Sequence, residues 1–173
     1  MKLLRVGLFG NEKQAALDKL GKIRDLSKYL DDFNSSTLNF ETLEKLKKIN
    51  LESLPEVSSA SRIGSCIAKP GKFLAVGLNY SDHAIETNAK IPKEPIIFNK
   101  AANSMIGPND NIILPKLSRK LDWEVEIAFV VGKNTKYVSE GDAPNHILGY
   151  CIVNDISERE WQKERGGTWD KGK

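Results

Sequence analysis

Five short apolar runs crowd the stretch from residue 72 to residue 157: "KFLAVGLNY", "PIIFNK", "NIILP", "WEVEIAFVVGK" and "HILGYCIVNDIS". Each is rich in β-branched or aromatic residues and each is bounded by Pro, Gly or Asn, the punctuation of strands. They have strand length, and the segments between them leave little room for long helices. A doubly wound α/β sheet needs a helix after nearly every strand, so the pattern predicts a mostly antiparallel or mixed β architecture instead.

What precedes these runs has a different texture. "KLLRVGLF", residues 2–9, reads as a strand and "GNEK" as the turn after it. "FETLEKLKKI", residues 40–49, places Phe40, Leu43 and Leu46 at helical spacing, with Asn39 as N-cap. Residues 50–65 hold Ser, Pro and Gly without periodicity and read as a loop. The expected organisation is therefore α+β: a small N-terminal α+β domain over residues 1–65, then a β-rich domain over residues 70–173. The ending "EREWQKERGGTWDKGK" offers no apolar element to close a sheet, so the chain is expected to be a fragment of a longer one.

Charge and composition exclude several classes. The 26 basic and 23 acidic residues are scattered, and no basic block with interleaved aromatics marks a nucleic-acid surface. No apolar run approaches the ~18 residues that would span a membrane, and "MKLLRVGLFGNEKQ" returns to charge too soon for a signal peptide. Cys66 and Cys151 show no metal-site spacing and read as isolated, buried, reduced thiols of a cytoplasmic protein.

The segment "LDWEVEIAFVVGK", residues 121–133, carries the sharpest chemical signal. As an extended strand it puts Trp123, Val125, Ile127 and Phe129 on one face, expected to be a core face. The other face holds Glu124 and Glu126, then Ala128 and Val130. Two adjacent like charges repel, and the spacing alone fits an exposed strand edge. The apolar continuation fits instead a divalent cation between the carboxylates, Mg²⁺ or Mn²⁺ rather than a soft metal. Asp155, at the exit of "GYCIVND", is the candidate third carboxylate, although Asn-Asp also starts turns.

Other candidates are weaker on spacing. His83 and Glu86 stand three apart at the start of a helical segment, where a carboxylate can orient a general-base imidazole; a surface pair has the same spacing. Arg159 and Gln162 lie three apart beyond Asp155, as an anion-binding pair or a solvated face would. His146 reads as structural, and Gly107 as a turn residue.

Taken together, "VGLNYSDHAIE", "PIIFNK", "DWEVEIAFVVGK", "GYCIVNDISEREWQ" and "WDKGK" resemble, in this order, the catalytic-domain landmarks of the fumarylacetoacetate hydrolase family. The similarity runs from about residue 72 to the last residue, behind a segment like the N-terminal domain of many bacterial members. The resemblance implies a β-rich roll, usually dimeric, with Mg²⁺ (Mn²⁺ or Ca²⁺ in its place) held by Glu124, Glu126 and Asp155. It implies that His83 and Glu86 are the water-activating dyad, that Lys173 is the active-site lysine, and that Arg159 and Gln162 line the substrate site. The implied reaction is hydrolysis of a C–C bond in a 2,4-dioxo acid, an acylpyruvate or a dioxo-deoxy sugar acid, to pyruvate and a carboxylic acid. Isomerisation, decarboxylation and a ureidoglycolate lyase-type reaction share the scaffold, and a catalytically inactive fragment is the remaining alternative. Where some members have Gly-Arg-Asn-Tyr, this chain has Gly77-Leu78-Asn79-Tyr80, which removes one carboxylate contact.

Overall fold

The computed structural model describes residues 1–173, which fall into two compact units. The first contains residues 1–70, 105–112 and 126–153; the second contains 71–104, 113–125 and 154–173.

In the first unit, β1 (Lys2–Val6), β2 (Lys13–Leu17), β3 (Ile23–Asp25) and β4 (Glu56–Val57) form an antiparallel sheet in chain order. Successive strand residues point to opposite faces, so the neighbours Ala15 and Ala16 enter different clusters. Ala16 joins Leu26, Phe33, Leu46 and Leu54; Ala15 joins Leu4, Val6 and Ile23. Leu46 comes from α1 (Phe40–Lys47), which starts where expected: the Asn39 side chain accepts the Thr42 N–H at 2.9 Å. β4 lies inside the segment read as loop, since two residues are too few to show an alternation.

The second unit is assembled from pairs. β5 (Leu74–Gly77) and β6 (Ile96–Asn99) are antiparallel, with α2 (Ser81–Glu86) between them in sequence. β7 (Leu121–Asp122) pairs antiparallel with β10 (Ser157–Glu158). A short π-helical turn, Glu160–Glu164, and a 3₁₀ turn, Trp169–Gly172, complete it. The α2 cap is Tyr80 and makes no side-chain bond.

The run expected as one strand over residues 121–133 is interrupted. β7 ends at Asp122, residues 123 and 124 are irregular, and β8 (Val125–Val131) begins afterwards, paired with β9 (Ile147–Asn154). The alternation survives, but its sense is reversed. Trp123, Val125, Ile127 and Phe129 are exposed (57–70%), and so are Tyr150 and Ile152 on β9. The expected core face is open because nothing in these 173 residues packs on it. "NIILP" is another correction. Ile112, Ile113 and Leu114 find no partner strand and stay irregular and exposed; without a ladder, β-propensity alone does not make a strand.

Candidate functional site

The break after β7 builds the site of the second unit. Glu124 leaves the ladder, and its backbone is recaptured by the exit of β9. Its N–H donates to the Asn154 side chain at 3.1 Å, and its carbonyl accepts the Asp155 N–H at 2.8 Å. These two bonds set Glu124 beside Asp155, 31 positions away in sequence.

Their carboxylates converge on one cation. The Lys173 ammonium donates to Glu124 Oε2 at 2.7 Å and to Asp155 Oδ2 at 2.9 Å, with its side chain only 3% exposed. Lys100 donates to the other Asp155 oxygen, and Arg159 donates to the other Glu124 oxygen. Arg159 also reaches Asp122 Oδ2 at 2.9 Å and the Gln162 carbonyl oxygen at 3.0 Å. Ser157 donates its hydroxyl to Glu124 Oε2 at 3.2 Å. All four oxygens of the two carboxylates are therefore bonded to charged donors.

Burial opposes ionisation of Glu124, but the hydrogen bonds from Lys173 and Arg159 outweigh it and hold its carboxyl at about 2. For Arg159, burial disfavours the cation, and the bonds to Glu124 and Asp122 more than offset that. Neighbouring Glu158 is also nearly buried and kept ionised. Burial raises its pKa, while the N–H groups of Trp161 and Lys120 and the Ser118 hydroxyl lower it further.

Two contacts position Lys173. Gly172 passes so close to the Glu158–Gln162 turn that a Cβ there would lie 2.6 Å from Gln162 N and 2.7 Å from Glu158 O. Trp169, four residues before the lysine, packs on the bare backbone of Gly77 and stands edge-on to Phe98 at 5.6 Å. The Phe98 ring in turn lies 4.9 Å from the Lys173 ammonium.

The structure thus brings Glu124, Asp155, Lys173, Arg159 and Gln162 into one cluster. Glu126 lies on β8 in the other compact unit and is half-buried. His83 and Glu86 both sit on α2, the first half-buried and the second exposed, with no hydrogen bond between them. No three His, Cys, Asp or Glu side chains converge in a metal-binding group. Yet Glu124 and Asp155 present hard oxygen donors to a single cationic point, now filled by an ammonium, which suits a small divalent ion. His146 has the partner that its sequence did not suggest: its ring nitrogens contact Thr135 Oγ1 at 2.8 Å and Asp142 at 3.4 Å.

Lys100, Asp122 and Ser157 were missed from spacing. A lone lysine at the end of "PIIFNK" has no local partner, and its meaning depends on a bond to Asp155 55 residues away. The available signal was that this segment is one of the five landmarks.

Known proteins resemble this chain along its whole length. A family model described as "Fumarylacetoacetate (FAA) hydrolase C-terminal" matches residues 72–173. Proteins named "Putative hydrolase" from Burkholderia ambifaria and Burkholderia cenocepacia are 51% identical over all 173 residues. The chain spans 61% of the length of these curated relatives. Among solved structures, a fumarylacetoacetate hydrolase from the psychrophile Exiguobacterium antarcticum superposes with a TM-score of 0.81 at 28% identity, over 100% of this chain and 61% of that one. A 5-carboxymethyl-2-hydroxymuconate delta-isomerase from Mycobacterium smegmatis gives 0.71 at 28% identity, over 100% and 61%.

Proposed function

Because the chain belongs to the fumarylacetoacetate hydrolase family, a scaffold that serves both hydrolases and isomerases, we propose that it carries the site of a Mg²⁺-dependent hydrolase that cleaves a C–C bond in 2,4-dioxo acids. One observation carries the reading: a single ammonium, that of Lys173, bridges Glu124 and Asp155 at 2.7 and 2.9 Å. Carboxylates so arranged and kept ionised favour a cationic occupant, and that cation is what stabilises negative charge developing beside it.

In this reading Glu124, Glu126 and Asp155 would hold the ion, which would supply Lewis-acid polarisation of a substrate carbonyl. Lys173 offers its ammonium to the pyruvate enolate oxygen as the C3–C4 bond breaks. Arg159, steadied by Asp122 and Gln162, keeps Glu124 ionised and presents positive charge toward an anionic substrate. His83 removes the proton of the attacking water, with Glu86 orienting its ring once α2 settles over the substrate.

The test is pyruvate release from acetylpyruvate with Mg²⁺, by the protein and by its Glu124→Ala variant. Release that chelator and the variant both abolish supports the hydrolase; release that survives chelation refutes the metal. A second reading, enol–keto isomerisation, draws on the missing His83–Glu86 bond, since shuttling a proton needs no activated water. Full turnover of a ketonising substrate by His83→Ala would favour it.

A further inference from the structure

Glu158 is a carboxylate that the proposed reaction does not use. It ends β10 and is only 3% exposed, yet each of its oxygens is met by neutral donors. Oε1 accepts the Lys120 N–H at 2.9 Å and the Ser118 hydroxyl at 3.1 Å; Oε2 accepts the Trp161 N–H at 2.8 Å. One oxygen therefore holds the lead-in to β7, and the other holds the turn that leaves β10. Backbone bonds continue the clamp: Ser157 and Glu158 pair with Asp122 and Leu121, and the Arg159 N–H donates to Lys120 O at 2.9 Å.

The clamped turn is where Arg159 makes its contacts. Its π-helical form, closed by the Arg165 N–H on Glu160 O at 3.2 Å, is a conformation frequent at functional sites. From it the Arg159 guanidinium meets Asp122 on β7, Gln162 within the turn, and Glu124. These partners stand on separate segments, so all three are reached only if the turn keeps one register against β7. We propose that Glu158 is the positioning residue that sets this register and so aims Arg159. The inference rests on the reading of Arg159 as the group that faces an anionic substrate.

The chemistry of a carboxylate fits that task. An ionised carboxylate only accepts hydrogen bonds, and here both oxygens face donors. Glutamine would turn its NH2 group toward one of the two backbone N–H groups, donor against donor. An apolar residue would leave both N–H groups without this partner. Burying an anion among neutral donors also costs desolvation. A turn that only had to reverse the chain could leave its N–H groups to water. A buried acceptor shared by two segments instead fixes them relative to each other, and Arg159 follows directly after it in the chain.

The experiment follows, by NMR on the 173-residue chain, solvent exchange of the Arg159 Nε–H proton that Asp122 Oδ2 accepts at 2.9 Å. The Lys100 amide, bonded to Phe73 O at 2.9 Å in the same unit, is the reference. Glu158→Gln keeps the volume and should quicken Arg159 exchange about tenfold relative to Lys100, as the loss of one hydrogen bond would. Ser118→Ala leaves both backbone donors in place and should quicken it about twofold to threefold. With acetylpyruvate, Glu158→Gln should raise KM about tenfold, more than it lowers kcat, because substrate binding is what misplaced Arg159 loses. A merely structural role would quicken both protons alike. That result, or Arg159 exchange unchanged in the folded variants, overturns the proposal; if Glu158→Gln does not fold, Ser118→Ala carries the same comparison. No turnover by the unaltered chain would count against the hydrolase reading alone, since Arg159 exchange decides the positioning role without it.

Discussion

In the first unit two apolar clusters around Phe33, Leu26, Ala15 and Ala16 are buried beside Gln14 and the paired ions Arg5 and Asp18, whereas in the second the most deeply buried side chains include Ser157, Glu158, Gln162 and the ammonium stem of Lys173. The same chain thus solves burial in two ways. The first unit removes apolar surface from water on both faces of its sheet, a favourable term that needs no partner geometry. The second buries ions, which is tolerable only because each carboxylate oxygen of Glu124 and Asp155 meets a charged donor. The apolar clusters are what stability alone would produce, and the buried ions of the first unit sit in separate pairs, Arg5 with Asp32 and Arg24 with Asp18. The second keeps a concentration of charge that stability does not require, as expected of a site built to bind.

The difference can be broken most severely in the apolar unit. Phe33→Ala should cost about 4 kcal/mol in denaturant unfolding, because a fully buried ring leaves a cavity that the β1–β4 sheet and α1 cannot fill. A loss under about 1 kcal/mol would mean that this core is loosely packed. In the charged unit, Lys173→Met keeps the volume but strands two carboxylates, and should destabilise by roughly 3 kcal/mol. The double variant Lys173→Met/Glu124→Gln should recover part of that. Equal unfolding midpoints for wild type and Lys173→Met would show the ions to be solvated and the contrast to be false.

Acid titration sharpens the same contrast. Glu124 has a folded pKa of about 2 against an ordinary 4.5, so it favours folding above 4.5, and that contribution fades as pH falls toward 2. Discounted for partial solvent screening, the effect is on the order of 2 kcal/mol. Glu124→Gln should flatten this part of the stability-versus-pH curve, and an unchanged acid slope would contradict it. The smallest effect is expected at a local feature of the first unit. Asn39→Ala removes the bond to Thr42 N–H and should cost about 1 kcal/mol in thermal unfolding.

Local chemistry explains what could be read without the structure. α1 and its Asn39 cap, β8 and β9 follow from patterns within a dozen residues. Glu124, Asp155 and Lys173, singled out through the family resemblance, meet in the second unit through bonds of 2.7 and 2.9 Å. What escaped reading is non-local. Lys100 acquires its meaning only across 55 residues, and Cys66, expected as a buried thiol, is exposed. The strand alternation around Glu124 was visible, but which face meets solvent depends on what packs there. Periodicity distinguishes two faces without saying which one is covered.

The edge-on contact between Trp169 and Phe98 has a practical consequence. The Phe98 ring also lies beneath the Lys173 ammonium, so a ligand that draws Lys173 away from Glu124 and Asp155 alters the electric field across this aromatic pair. The chain has two other tryptophans, Trp123, which is exposed, and Trp161, which lies beneath the Arg165 guanidinium. With both replaced by phenylalanine, Trp169 becomes an intrinsic fluorophore whose emission follows occupancy of the site directly, before any substrate has been turned over.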